Sequence, residues 1–185
     1  SIGMTFEKIV TLKDGRNCLL RNGVTSDGKA VLDVFNRTHE ETDYLLTYLD
    51  ENCFTASQEA DFLQRKTDSA NNVEIIAVVD DVVVGTAGID ALGMRDKIKH
   101  RAVFGIAITK EFWGLGIGKY LMEACIECAR EAGYLQLELE VVAENERAVE
   151  MYRRAGFIEY GRNPKAFRLR TGEYQELIDM RLELK

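Results

Sequence analysis

Gly114, Gly116 and Gly118 stand at alternate positions between two patterned stretches of the chain. The residues before them (104–108) are apolar and β-prone, and the apolar residues after them (121–129) recur at helical spacing. Glycine lets consecutive backbone N–H groups converge at the positive end of a helix, where they can bind phosphate or pyrophosphate. The pattern predicts a strand, an anion-binding loop and a helix, although a tight turn without a ligand gives the same spacing.

This glycine loop matches neither of the two common phosphate-binding fingerprints. A P-loop ends in Gly-Lys followed by Ser or Thr, whereas Gly118 and Lys119 are followed by Tyr120. A Rossmann turn has two residues before its last glycine and an acidic residue about 20 positions later, which the alternate glycines do not fit. The sequence therefore points away from both nucleotide-binding classes.

Length and composition limit the number of domains, the location and the partners that we expect for this protein. The chain has 185 residues, of which 46% are hydrophobic and one is proline, and this favours a single compact domain over residues 1–185. Residues 1–3 precede the first methionine and are typical of a remnant of recombinant expression. With neither a leader nor a long apolar run, we expect a cytoplasmic protein without a membrane partner. A net charge of −7 argues against nucleic acid as a partner.

The cysteines give no sign of a disulfide or a metal site. Cys18, Cys53, Cys125 and Cys128 lie on unrelated elements, so reduced thiols are expected. The Cys-x-x-Cys pair lies on the apolar stripe of the helix after the glycines, and no second Cys or His pair accompanies it. We interpret this pair as core filling and predict no bound metal.

Hydrophobic periodicity and turn residues predict the other elements. In chain order these are strands over 6–12 and 17–21, helices over about 27–39 and 55–63, strands over 73–79, 82–89 and 101–108, the helix ending near 133, a strand over 135–141, a helix over 145–155, and strands over 157–160, 167–174 and 178–184. The strands on either side of the loop and its helix should be parallel, by the right-handed crossover rule. The two helices before residue 73 are expected to form one wall of a cleft. The order predicts one mixed α/β domain.

One strand carries candidate acid–base groups. Over residues 135–141, apolar residues alternate with Gln136, Glu138 and Glu140, which gives the strand a polar face. We expect this face to line the cleft, where either glutamate could act as a general base. Plain solvation of a polar face is the alternative reading of both carboxylates.

Two segments carry a resemblance to a known family. Residues 106–122 read IAITKEFWGLGIGKYLM, and residues 137–157 read LELEVVAENERAVEMYRRAGF. Together with the tail GEYQELIDM at 172–180, they resemble the GNAT superfamily of acetyl-CoA-dependent N-acetyltransferases. The motif resemblance runs from about residue 73 to 184, and the order of elements matches over nearly the whole chain.

The resemblance implies a fold and a cosubstrate. The fold is a mixed, mostly antiparallel central sheet of six to seven strands, flanked by about four helices, with one splayed pair of parallel strands. Acetyl-CoA would place its pyrophosphate on the loop amides and its pantetheine arm along the strand before the loop. The cofactor-binding residues so implied are Ile106, Ala107, Ile108, Trp113, Gly114, Leu115, Gly116, Ile117, Gly118, Lys119, Asn145, Ala148 and Tyr152.

The chain departs from the family pattern at Trp113. Relatives usually carry Arg or Gln at this position, three residues before the middle glycine. Since backbone amides bind most of the phosphate, the departure affects a side-chain contact more than the fold.

The resemblance also implies catalytic roles. Tyr152 would be the general acid that protonates the departing thiolate, although its place on an apolar helix stripe also fits a core residue. The general base that would deprotonate the amine is not identified. The candidates are Glu138 and Glu140, the loop residues His39, Glu40, Glu41 and His100, and a water relay.

Two functions are compatible with these residues. The first is transfer of an acetyl group from acetyl-CoA to a primary amine of a small molecule or protein. The second is a non-catalytic acyl-CoA-binding sensor or interaction domain. Acceptor specificity is expected from residues 24–66 and 165–174, and the resemblance adds a homodimer as an option.

Overall fold

The computed structural model describes residues 3–185, so residues 1–2 of the predicted remnant lie outside it. Its strands are β1 Glu7–Thr11, β2 Asn17–Asn22, β3 Val73–Val79, β4 Val82–Ala91, β5 Arg101–Ile108, β6 Gln136–Val142, β7 Ile158–Arg168 and β8 Tyr174–Glu183. Its α-helices are α1 Gly28–Glu41, α2 Ala56–Asp68, α3 Ile117–Glu131 and α4 Glu146–Arg154. The predicted α/β class and order of elements are confirmed up to β6 and α4.

All eight strands form one sheet in the order β1-β2-β3-β4-β5-β6-β8-β7. Among the described strands, only β5 and β6 pair in parallel, as the crossover rule predicts. The sequence predicted six to seven strands in the central sheet. The count is higher because β2 pairs with β3 and so adds the N-terminal hairpin to the sheet.

The two faces of the sheet carry different helices. On one face, α3 and α4 pack on a large core that includes Leu121 and Val149. On the other face, a smaller cluster joins Val31 of α1 and Leu63 of α2 to Ile76 of β3. Since side chains of a strand alternate between faces, this division tells which side of the sheet each strand residue faces. None of the helices in residues 3–185 is both long and apolar enough to cross a membrane.

The parallel pair of strands is splayed, as predicted. Strands β5 and β6 pair only from Arg101 opposite Gln136 to Val103 opposite Glu138. Beyond Val103, β5 continues to Ile108 with β4 as its neighbour, while β6 continues along β8. The sheet therefore opens between β5 and β6, and the gap joins its two faces.

The prediction for the C-terminal strands was wrong in one place. Residues 167–174 were predicted as a strand, but this segment is the tip of the β7–β8 hairpin. The Leu169 N–H donates to the Glu173 carbonyl at 2.8 Å, and the Gly172 N–H donates to the Leu169 carbonyl at 2.8 Å. Strand β7 is the edge of the sheet, so it tolerates Pro164 at an irregularity between Asn163 and Phe167.

Candidate functional site

The splay between β5 and β6 forms a cleft with a volume of about 1690 Å³. One end, which we call the loop end, is built by the glycine loop, α3 and α4. The other end, which we call the α1 end, lies on the opposite face of the sheet. It is lined by residues of α1, of the segment between α1 and α2, and of β7 and β8. Helix α2 contributes nothing to this lining, so only the first of the two predicted helices forms a cleft wall.

The glycine loop has the backbone that an anion site needs. Gly116 is the N-cap of α3 and adopts φ 98°, a conformation that favours glycine. No side chain caps this helix end, so the N–H groups of its first turn have no intrahelical or side-chain acceptor. A Cβ atom on Gly118 would lie 3.0 Å from the Met151 Sδ, so this glycine lets the loop pack closely on α4. The loop therefore presents free amides to the cleft.

Trp113 holds the loop against β5. Its indole Nε1–H donates to the Ile108 carbonyl at 2.8 Å, and its ring lies 5.8 Å from the Arg147 guanidinium carbon. A Cβ atom on Gly114 would lie 3.9 Å from both terminal nitrogens of Arg147. The arginine therefore stands beside the loop, next to the position where the resemblance led us to expect Arg or Gln.

The β5 edge provides unpaired backbone groups. Ile106, Ala107 and Ile108 line the cleft beyond the last β5–β6 pair, at Val103. The groups that face the gap need partners, as buried or half-buried amides and carbonyls do. An extended, amide-rich ligand could provide them by pairing as a strand does.

Tyr152 lies on the cleft wall and in the core at once. Its ring is buried, with edge contacts to Phe104 at 6.1 Å and Phe157 at 5.7 Å between ring centroids. Its hydroxyl makes no hydrogen bond with any residue from 3 to 185, yet it is not sealed from the cleft. Burial raises the pKa of Tyr152 well above its ordinary value, because the ionised form is poorly solvated there. The side chain can therefore offer a neutral O–H to a group in the cleft.

The two glutamates of β6 have different surroundings. Glu138 is 6% exposed and accepts both Arg101 Nε–H at 2.5 Å and Arg101 Nη2–H at 2.6 Å. It lies buried at the closed end of the splay and outside the cleft lining, contrary both to our expectation that this face lines the cleft and to the alternative of plain solvation. Glu140 lies two residues further along β6, is exposed and lines the cleft. It makes no ion pair with any of residues 3–185.

Arg101→Met tests the structural role of Glu138. We expect the free energy of unfolding to fall by about 2–3 kcal/mol, since an uncompensated carboxylate would be left buried. The value stays below that of a fully buried pair because 33% of the Arg101 side chain is exposed. Urea unfolding of the variant measures the loss, and Arg101→Met/Glu138→Leu should recover part of it. An unchanged unfolding midpoint for Arg101→Met would contradict this role.

The other predicted residues are placed as follows. Asn145 is the N-cap of α4, where its side chain makes no capping hydrogen bond, and both Asn145 and Ala148 line the cleft. Gly114, Ile117 and Lys119 also line it. Leu115 does not, because it packs on the core and its carbonyl accepts the Lys13 N–H at 3.1 Å.

Two of the loop candidates for a base are already engaged. The ring nitrogens of His39 lie 2.7 Å from the Phe35 carbonyl and 2.8 Å from the Thr47 hydroxyl. Glu41 accepts the Lys110 N–H at 3.0 Å and pairs with Arg37. Neither Glu40 nor His100 belongs to the cleft lining.

Sequence reasoning missed Arg147 and Leu177, whereas Tyr44, Leu45, Leu46 and Phe167 lie in the segments 24–66 and 165–174 that we expected to set acceptor specificity. Arg147 stands in the first turn of α4, where the helix dipole disfavours a cation. A basic residue at such a position is a signal that something else requires it. The contribution of Leu177 to the cleft depends on how β7 and β8 fold back, and no local pattern reveals it.

The cysteines are free thiols, as predicted. Cys125 and Cys128 are buried on α3 in the main core, and burial raises the pKa of Cys128 to about 12. Within residues 3–185 there is no group of three or more His, Cys, Asp or Glu side chains that could hold a metal ion.

Comparison with known proteins identifies the family. The model of the acetyltransferase (GNAT) family matches residues 35–157, and the chain belongs to this family. It is therefore an acyltransferase, and acetyl-CoA is its cosubstrate. The chain is 32% identical to the L-amino acid N-acetyltransferase AaaT of Escherichia coli (strain K12) over 118 residues, which are 63% of this chain and 72% of that protein.

Solved structures share the fold. A GNAT-family acetyltransferase from Streptococcus pneumoniae superposes with a TM-score of 0.85 and 26% identity, covering 90% of this chain and 99% of that one. The acetyltransferase yncA of Salmonella typhimurium, solved with its cofactor acetyl-CoA, gives a TM-score of 0.81 at 16% identity, covering 91% and 94%. The predicted GNAT fold is confirmed.

Proposed function

We propose that the protein transfers the acetyl group of acetyl-CoA directly to a primary amine while both substrates are bound. The observation that carries this proposal is the cleft through the splayed sheet, which has the glycine loop at one end and the Tyr152 hydroxyl on its wall. Two substrates that enter from opposite faces can meet in such a gap. A sensor domain would need no second opening on the α1 side.

The loop end fits the chemistry of coenzyme A. The free amides of Ile117, Gly118 and Lys119 at the start of α3 suit a pyrophosphate, and the β5 edge suits the amides of the pantetheine arm. Asn145 and Ala148 would contact the same arm from α4. Lys119, whose side chain is mostly exposed, adds a positive charge beside the loop.

Arg147 would take over the phosphate contact that position 113 makes in relatives. Replacing it with methionine should weaken acetyl-CoA binding about tenfold, because one charge-assisted hydrogen bond contributes about 1.5–3 kcal/mol. Calorimetric titration with acetyl-CoA measures the effect. Arg153→Met is the matched control, since Arg153 lies on the same helix outside the cleft lining. Equal affinities of the two variants would refute the assignment.

The reaction needs a proton removed from the amine and negative charge stabilised on sulfur. At neutral pH the amine is mostly protonated, so Glu140 or a water chain beside it would accept the proton. The nitrogen–carbon bond then forms as the carbon–sulfur bond breaks. Tyr152 would direct its O–H at the departing sulfur, and its raised pKa keeps that proton in place until the charge develops.

The acceptor belongs to the α1 end of the cleft, which faces away from the loop. The name of the Escherichia coli relative makes the α-amine of an amino acid one candidate acceptor. Amines of other small molecules and of proteins are the alternatives.

The test is titration with acetyl-CoA followed by a free-thiol assay against a panel of amines. We expect micromolar binding and thiol release that depends on an amine. Binding without amine-dependent release across the panel would favour the sensor function, and absence of binding would contradict the role of the glycine loop.

A further inference from the structure

Charged residues are unevenly distributed along the cleft, and most of them, including the acidic Glu123, Glu127 and Glu150 of α3 and α4, stand at its loop end. Its basic lining residues are Lys13, Lys119, Arg130, Arg147 and Arg154. Four of them lie on α3 and α4, and Lys13 is hydrogen-bonded to the glycine loop, so all stand at the loop end. Among residues 3–185, the α1 end has one charged lining residue, the carboxylate of Glu140.

Glu140 faces the α1 end because its neighbours in β6 face the other way. Leu139 and Val141 belong to the core beneath α3 and α4, so Glu140 points to the opposite face. Asp179 of β8 is its direct cross-strand partner and shares that face. No cation within residues 3–185 pairs with either carboxylate, so the floor of the α1 end is negative.

Three arginines near this end are engaged with other carboxylates, whereas Lys165 and Arg168 of β7 make no ion pair within residues 3–185 but lie outside the cleft lining. Arg37 pairs with Glu41 and Glu111, and Arg101 pairs with Glu138. Arg170 makes two hydrogen bonds to Asp50, both 2.8 Å long. None of these is a lining residue that could receive a carboxylate from a ligand.

The remaining surface of the α1 end is largely apolar. Its apolar lining residues are Tyr44, Leu45, Leu46, Phe167 and Leu177. The hydroxyls of Thr38 and Thr42 are used locally, in hydrogen bonds to the Phe35 carbonyl and from the Tyr44 N–H. Leu46 is 79% exposed, so its apolar side chain is accessible to a ligand at this end.

A contact beside the α1 end joins two segments that contribute to its wall. The backbone N–H of Arg170, in the β7–β8 turn, donates to the Tyr48 hydroxyl at 2.8 Å, and its guanidinium lies 4.0 Å from the Tyr48 ring centroid. With the Asp50 pair, this joins the turn to the segment between α1 and α2. The apolar side chains of both segments are thereby held around one mouth.

We propose that the acceptor is a small primary amine with an apolar or aromatic substituent and without a carboxylate beside its nitrogen. This inference rests on the proposed function and narrows its acceptor class. A cationic amine is attracted by Glu140, and its substituent fits the apolar wall. A carboxylate would meet Glu140 without a cation to balance it, so free amino acids are disfavoured.

Matched substrate pairs test the proposal with the intact chain. We would measure kcat/KM for 2-phenylethylamine against L-phenylalanine and for 3-methylbutylamine against L-leucine, with L-phenylalaninamide as the neutral analogue. The amines should exceed the amino acids by at least about tenfold, and the amide should fall near the amine. Equal or better use of the amino acids would overturn the inference and leave the proposed function intact. An amide as poor as the amino acid would overturn it too, since bulk would then be excluded rather than charge.

Glu140→Gln separates recognition from proton removal. Both members of a pair need the same deprotonation, so losing a base lowers both rates and leaves their ratio unchanged. We expect the ratio of amine to amino acid to fall several-fold in this variant and to stay unchanged in Glu144→Gln, which removes a charge outside the cleft lining. An unchanged ratio in Glu140→Gln would overturn the inference. Thiol release with none of the five compounds, while an amine of another class is acetylated, would overturn the inference and leave the proposed function intact.

Discussion

Replacing Gly116 with valine is expected to weaken acetyl-CoA binding by a factor of about 100 or more. At φ 98° a β-branched residue is strained by about 1–3 kcal/mol, so the loop will relax to another backbone conformation. The amides at the start of α3 would then no longer converge, and loss of two charge-assisted hydrogen bonds accounts for the factor. Calorimetric titration measures the affinity, and a melting curve shows whether the variant is folded.

Gly133→Val is the matched control for this substitution. Gly133 has φ 88°, follows the other end of α3, and a Cβ atom there would have no neighbour within 4 Å. It should carry a similar backbone strain and lose a similar amount of stability, but bind acetyl-CoA with wild-type affinity. Normal binding by a folded Gly116→Val protein would contradict the pyrophosphate assignment, while equal losses in both variants would attribute the effect to stability.

Tyr152→Phe is expected to lower kcat about 100-fold while acetyl-CoA affinity changes less than about twofold. The aromatic contacts with Phe104 and Phe157 survive the substitution, so packing is preserved. What is lost is the O–H aimed at the departing sulfur. Steady-state kinetics with a responsive amine and titration with acetyl-CoA separate the two quantities. A kcat within threefold of the wild type would remove Tyr152 from the mechanism.

The control is Tyr134→Phe. Tyr134 is a second buried tyrosine, its hydroxyl donates to the Asn71 carbonyl at 2.8 Å, and it lies outside the cleft lining. Its loss should cost about 1 kcal/mol of stability and leave kcat unchanged. A comparable fall in kcat for both variants would indicate a general effect of core hydroxyls.

The pH dependence of the wild type follows from the raised pKa of Tyr152. Because burial keeps the folded-state pKa above the ordinary value of about 10, the hydroxyl stays protonated throughout the neutral and mildly alkaline range. The rate constant kcat/KM should therefore rise with pH as the amine loses its proton, without a decline below about pH 10. A descending limb centred near pH 8 would require another acid.

Several features could be predicted from the sequence because they depend on local chemistry. The two adjacent acids Asp80 and Asp81 mark a tight hairpin turn, and both adopt positive φ there. Of the two cap candidates before the second helical pattern, Thr55 and Ser57, it is Thr55 that caps α2 through its side chain and Gln58. The parallel β5–β6 pair follows from chain order alone. The single domain, the cytoplasmic location and the homodimer stay predictions.

The roles of Glu138 and Glu140 were decided by the tertiary structure. The two residues share one face of β6 and look equivalent in the sequence. The splay begins just after Val103 pairs with Glu138, so Glu138 is closed in with Arg101 while Glu140 faces the gap. The place where two strands part depends on contacts with β4 and β8 that lie far away in the chain.

The sequence by itself determined the loop, the starts of the helices and the order of the elements, because glycine conformation, capping and hydrophobic period are encoded within a few residues, whereas α2 runs to Asp68 and not to the predicted residue 63. Only the tertiary structure decided that Arg147 stands beside Trp113 and that the α1 end is apolar with a single lining charge. Those features arise where burial of the core brings together segments that are distant in the chain. Contacts of this kind cannot be predicted from the pattern of neighbouring residues.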